Sequence, residues 1–228
     1  RIYGNADLIV TPTPYSKRLI ENYPYVSCPV FALSNGIDLE EYAPNSEAVQ
    51  AFVDYFKIED GEKIIIGVGL PFVRKGLLDF IEVARQLPDI TFIWFGHLPK
   101  IATQGKVLRT MRKKPNNLIF PGYISGPIIR GAFQKADALL FPSYEETEGI
   151  VVLEALASYL PVIVRDVPVY YEWLKAGDNC FKGENVDDFV RIINALYEMD
   201  VTAMVEEGYQ IAQARSLEKV GQGLIEIY

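Results

Sequence analysis

Between residues 64 and 164 the chain alternates short apolar runs with stretches of helical spacing, and this alternation restricts the fold more than any other feature. The runs Ile64–Val68, Thr91–Phe95, Leu118–Phe120, Ala138–Phe141 and Val162–Val164 each have Gly, Pro, Asn or Asp close by, the pattern of short strands buried on both faces. Leu8–Thr11 and Val30–Leu33 read the same way. Leu77, Phe80/Ile81, Ala84 and Leu87 recur at helical period, as do Val49, Phe52/Val53 and Phe56, and Val186, Phe189/Val190, Ile193 and Tyr197. Strand, loop and helix in succession predict an α/β fold with a Rossmann-like, doubly wound parallel sheet. Ligands of such sheets bind beyond the carboxyl ends of the strands, so a site is expected in the loops that follow them.

Bulk properties narrow the function. Half of the 228 residues are hydrophobic and 23% are charged, which supplies a core and excludes a disordered chain. A net charge of −8 argues against a general nucleic-acid binder. Cys28 and Cys180 form neither a disulfide framework nor a metal-ligand spacing and read as reduced thiols. No apolar run approaches the length of a bilayer span, and the first residues do not resemble a signal peptide. The chain opens at Arg1 and runs at once into Ala6-Asp7-Leu8-Ile9-Val10, which reads as a fragment. Asn35–Pro44, with its Asn35-Gly36 turn, reads as a linker.

The segment Pro142–Ala157 carries the most chemistry. Ile150–Leu153 with Ala155–Ala157 is apolar all round and describes a buried helix, with Glu154 in its middle. A buried carboxylate needs a polar partner, here either an internal salt bridge or hydrogen bond, or a ligand hydroxyl. Gly149 opens the helix directly after a strand and its loop, where free N–H groups and the positive dipole end suit a phosphate. Glu146 lies in that loop. Two carboxylates with amides between them suit a sugar diphosphate nucleoside, whose hydroxyls donate and whose diphosphate accepts. Arg74 and Lys75, in the Gly-flanked loop after Ile64–Val68, read either as a solvated basic pair or as groups that neutralise phosphate charge.

Several of these elements stand together in a known order: Glu146-x7-Glu154 with Gly149, Lys75-Gly76 after a Gly-ended strand, and Asn35-Gly36-Ile37-Asp38. Ala136-Asp137 before the strand ending in Phe141-Pro142-Ser143, and Pro161-Val162-Ile163 after the helix, complete the set. In this the chain resembles the retaining GT-B glycosyltransferases, in particular the donor-binding domain of glycosyltransferase family 4. Arg74-Lys75-Gly76, Phe92-Ile93-Trp94-Phe95-Gly96, Glu145–Gly149 and Arg165-Asp166-Val167-Pro168 resemble the bacterial subgroup that places α-glucose on diacylglycerol. The resemblance implies that Glu146 contacts donor-sugar hydroxyls and Glu154 the ribose. It implies that amides around Gly149, Ile150 and Val151 hold the diphosphate, that Lys75 stabilises the departing phosphate, and that Tyr123 and Ile124 pass beside the base. Arg74 and Gly76 belong to the same phosphate loop. The implied division is residues 1–34 as a remnant of the N-terminal acceptor domain, with Ser16 in a recurrent position, 35–46 as interdomain linker, 47–205 as nucleotide-sugar-binding domain and 206–228 as a C-terminal helix.

The implied partners are a nucleotide sugar, UDP-glucose first, and a lipid acceptor met through the upstream domain. No cofactor and no metal are expected, and the location implied is cytoplasmic, at the inner face of the cell membrane. Two departures stand out: Leu70 where the family has Arg, and Tyr159 where it has Gly. Glu145 and Glu148, beside Glu146, read as solvated or hydrogen-bonded rather than as Mg²⁺ ligands. His97, the sole histidine, is read as structural or as a ligand contact. Lys106, Arg109, Arg112, Lys113 and Lys114 form either a solvated helix face or a surface for anionic lipid head groups. The competing readings are a non-catalytic partner subunit, transfer to a polysaccharide or protein, and a sugar-nucleotide epimerase; one histidine is a poor supply for the last.

Overall fold

A computed structural model describes residues 3–99 and 103–228. Its main body is a six-stranded, wholly parallel sheet made of β3 (Ile64–Val68), β4 (Thr91–Phe95), β5 (Leu118–Gly122), β6 (Ala138–Phe141), β7 (Val162–Arg165) and β8 (Phe181–Gly183). The order across it is β5-β4-β3-β6-β7-β8. The helices between the strands are α3 (Leu77–Gln86), α4 (Gly105–Arg112), α5 (Pro127–Lys135) and α6 (Ile150–Ala157), and α7 (Val186–Leu196) comes after β8. α2 (Ser46–Phe56) precedes the sheet, and α8 (Thr202–Gln213) and α9 (Leu217–Ile227) follow it.

Strand periodicity sorts the apolar runs into two cores. Ile64, Ile66, Ile93, Phe95, Leu139, Phe141, Val162 and Val164 share one with Phe52, Ala132, Phe133 and the buried side of α6. Ile65, Phe92, Trp94, Ala138, Leu140 and Ile163 share the other with Phe80, Ile81, Ala84, Phe189 and Ile193. Successive side chains of a strand point to opposite faces, so a strand covered on both must be apolar throughout. The expected Rossmann-like, doubly wound sheet is the one observed.

Several boundaries differ in detail from the sequence expectation. β8 is an additional strand. Phe181-Lys182-Gly183 is a three-residue edge strand with no apolar run to announce it. The C-terminal part holds two helices, and α8 begins at Thr202, ahead of the boundary expected at 206. Tyr159 sits at φ 55°, in the left-handed region, which is the physical reason glycine suits this position. Its ring stacks on Tyr209 at 4.2 Å between centroids.

Upstream of the sheet, β1 (Ile9–Thr11) pairs in parallel with β2 (Val30–Ala32), with α1 (Pro14–Glu21) between them. The linker is held on one side by hydrogen bonds between Ile37 and the α8–α9 junction, from Ile37 N–H to the Arg215 carbonyl at 2.9 Å and from Leu217 N–H to the Ile37 carbonyl at 3.0 Å. Asn45 then caps α2 by accepting from Ala48 N–H at 2.9 Å. Among the described residues no helix is long and apolar enough to cross a membrane.

The chain leaves β3 outward through β4 to β5, then returns to the opposite side of β3 as β6. Strand order reverses there, which is where sheets of this kind place a ligand crevice, beyond the carboxyl ends of β3 and β6.

Candidate functional site

The β3 loop ends in a 3-10 turn, Val73–Lys75, closed by Gly76 at φ 73°. A Cβ on Gly76 would stand 2.1 Å from the Pro142 carbonyl oxygen, so only glycine lets the two loops touch. Hydrogen bonds hold them in register: the Arg74 carbonyl accepts from Tyr144 N–H at 2.8 Å and from Ser143 Oγ at 3.2 Å. Arg165, buried at the end of β7, holds the β6 loop from the β7 side. Its Nε donates to the Pro142 carbonyl at 3.1 Å, its other nitrogens reach the Glu184 carbonyl and the Asp79 carboxylate, and its guanidinium lies 3.9 Å from the centre of the Tyr144 ring. Tyr144 in turn donates its hydroxyl to Asp79 at 2.7 Å. A basic residue closing an apolar strand was the visible sign of this network, although its role required the fold.

Within that frame Lys75 Nζ and the Glu146 carboxylate form an ion pair, with side chains 17% and 8% exposed. They line a cleft of ≈ 580 Å³ with Arg74, Tyr144, Glu145 and Thr147, faced by Tyr15 and Leu19 of α1 and by Val167–Val169. One wall is charged and the other apolar. The sequence does not single out Tyr15, Leu19 or Val167–Val169 as site residues, because α1 and the segment after β7 lie about 150 positions apart and meet only in the fold.

Gly149, at φ 87°, is the N-cap of α6, and no side chain caps that end, so the first amides of Ile150 and Val151 are left for another acceptor. A Cβ on Gly149 would meet the Tyr170 hydroxyl at 2.8 Å. That hydroxyl is fully buried without a hydrogen-bond partner. Burial first, then the charge of Glu146 and of Cys180, pushes the Tyr170 phenol well above its ordinary range.

The other expected residues stand elsewhere. Tyr123, 78% exposed, and Ile124 line a separate recess of ≈ 220 Å³ with Leu70, Gly96 and His97, at the carboxyl ends of β3, β4 and β5. Leu70, a departure from the pattern that the resemblance implies, is among its lining residues. Glu154 lines neither recess; it meets Tyr42, from the linker. Burial pushes the Glu154 carboxyl up, the hydrogen bond from the Tyr42 phenol works against this, and Glu41 adds to the rise. Glu145 is exposed, whereas Glu148 is buried and hydrogen-bonded to Asn35.

Residues 51–212 match the family model for glycosyl transferases group 1. The chain is 55% identical over 227 residues to the processive diacylglycerol alpha-glucosyltransferase of Acholeplasma laidlawii, covering all of this chain and 68% of that protein. Among solved structures, sucrose-phosphate synthase from Thermosynechococcus elongatus superposes with a TM-score of 0.86 at 18% identity, over 100% of this chain and 59% of that one. Anabaena HepE in complex with UDP-glucose does so with a TM-score of 0.85 at 18% identity, over 97% and 63%. The architecture is therefore one half of a GT-B fold, and the chain belongs to the glycosyl transferases group 1 family.

Proposed function

We propose that this chain is the donor-binding half of a retaining hexosyltransferase that moves glucose from UDP-glucose to a lipid acceptor such as diacylglycerol. The observation that carries the reading is the Lys75–Glu146 pair, set at the reversal of strand order beside a helix N-terminus without a side-chain cap. Glucose and the lipid acceptor come from the 55% identical relative, of which this chain spans about two thirds. UDP-glucose is the first donor to test because a protein of the same fold carries it. The assigned division is an acceptor-domain remnant over 1–34, a linker over 35–46, the donor domain over 47–205 and a C-terminal helical part over 206–228.

In this reading the leaving diphosphate lies on the amides of Gly149, Ile150 and Val151, with Lys75 and Arg74 adding positive charge. These groups are fixed before charge develops, which is what makes such stabilisation effective. Glu146 accepts hydrogen bonds from the donor sugar. By the resemblance Glu154 accepts from the ribose, a role that requires the ligand to replace its present partner Tyr42, and the recess at Tyr123 and Ile124 takes the base. The apolar wall of Tyr15, Leu19 and Val167–Val169 suits the approach of a greasy acceptor. Lys106, Arg109, Arg112, Lys113 and Lys114 are exposed on and just after α4 and would draw that face to anionic lipid at the inner side of the cell membrane.

Calorimetric titration with UDP, GDP, ADP and their glucose and mannose forms tests the assignment. The expected result is preference for UDP and UDP-glucose, with no turnover of diacylglycerol until the rest of the acceptor domain is supplied. Failure to bind any nucleoside diphosphate sinks it. A second reading, a non-catalytic partner subunit, is favoured by one observation: Leu70, not a cation, lines the recess. It predicts nucleotide binding with no turnover even in the longer protein.

A further inference from the structure

The loop carrying Glu146 is tied down by residues 113 to 134 positions upstream. The Thr147 carbonyl accepts hydrogen bonds from Thr13 Oγ1 at 2.8 Å and from Ser16 Oγ at 3.0 Å. The next side chain, Glu148, is 1% exposed. Its Oε2 accepts from the Asn35 backbone N–H at 2.9 Å and from Asn35 Nδ2 at 2.6 Å, while its Oε1 is buried without a partner. Packing alone is a poor reason for such a group, since an apolar side chain of similar volume is often as stable or more so. What the carboxylate adds is a directional grip on both donors of one asparagine.

We propose that Glu148 is a positioning residue: it fastens the linker at Asn35 to the loop of Glu146, and together with Thr13 and Ser16 on Thr147 it makes the stance of Glu146 depend on the upstream segment. The two anchored residues directly follow Glu146, so a shift of that segment relative to the sheet is transmitted to the carboxylate rather than absorbed in the loop. On the other side the linker is fixed through Ile37 to the α8–α9 junction. The consequence for ligands rests on the reading of Glu146 as the group that meets the donor sugar.

Glu148→Ala, Glu148→Gln and the double variant Thr13→Ala/Ser16→Ala separate positioning from plain structure. Two quantities are measured on the chain as it stands: hydrogen exchange of the amides from 145 to 152, and the Kd of UDP and of UDP-glucose by calorimetry. Glu148→Ala should speed exchange there and weaken UDP-glucose about tenfold, the scale of losing hydrogen bonds to a charged group, while UDP changes by less than about twofold. Glu148→Gln keeps an acceptor oxygen toward Asn35 and should restore both quantities, and the Thr13/Ser16 pair should repeat the split. If Glu148→Ala does not fold, that pair and Glu148→Gln decide alone. Unchanged exchange, equal weakening of UDP and UDP-glucose, or a Gln variant as poor as Ala overturns the positioning role. A wild-type chain that does not distinguish UDP from UDP-glucose overturns the sugar contact of Glu146 instead, and exchange still judges the tie by itself.

Discussion

Lys75 and Glu146 face each other across the crevice between the loops after β3 and β6, paired although 71 positions apart in sequence. Removing one member leaves the other charged and largely desolvated. Lys75→Met is expected to cost about 3 kcal/mol of stability and to abolish UDP-glucose binding. The double variant Lys75→Met/Glu146→Gln should recover most of the stability and none of the binding. Urea unfolding together with calorimetry checks this; full recovery of binding in the double variant would exclude the pair from the ligand site.

Glu154 offers a test against pH. Burial raises its carboxyl in the folded protein, so folding favours the protonated form. The folded state therefore binds more protons than the unfolded one above the ordinary carboxylate range. This group's contribution to stability is complete below the unfolded value and is lost as pH rises through the folded one. Glu154→Gln should raise Tm at pH 7.5, gain nothing at pH 4, and still weaken UDP about tenfold if the ribose meets this carboxylate. A Tm difference that is the same at both pH values contradicts the burial argument.

Gly76→Ala places a methyl group 2.1 Å from the Pro142 carbonyl and a side chain at φ 73°. The two effects together should cost about 2–4 kcal/mol and push the β6 loop away from Arg74. Nucleotide binding should fall with stability, read by chemical denaturation and by titration of UDP. An Ala variant with wild-type Tm and affinity would mean the loops do not touch in solution.

At Tyr159 two terms oppose each other. The left-handed backbone costs about 1–2 kcal/mol, and the stack on Tyr209 returns about 0.5–1.5 kcal/mol. Tyr159→Gly removes both and should be nearly neutral. Tyr159→Ala keeps the strain, loses the stack and should be about 1 kcal/mol less stable than wild type. Equal stabilities for the two variants would show that this tyrosine carries no backbone strain.

The parallel sheet could be read before any coordinates, because a strand covered on both faces must be apolar along its whole length and Ile64–Ile66, Phe92–Phe95 and Leu139–Phe141 are. Helix faces and the loops that follow strands came with it, and so did Arg74, Lys75 and Glu146 as loop residues near one crevice. Periodicity is a local property, set by residues a turn or a strand apart. β8 escaped it because three residues with a lysine and a glycine carry no period. The partners of the carboxylates were beyond its reach for a different reason. That Glu146 pairs with Lys75, Glu154 with Tyr42, and Glu148 with Asn35 depends on strand order and on which elements the linker packs against. Which buried charge meets which partner is decided by contacts between distant segments, and only the folded chain brings those segments together.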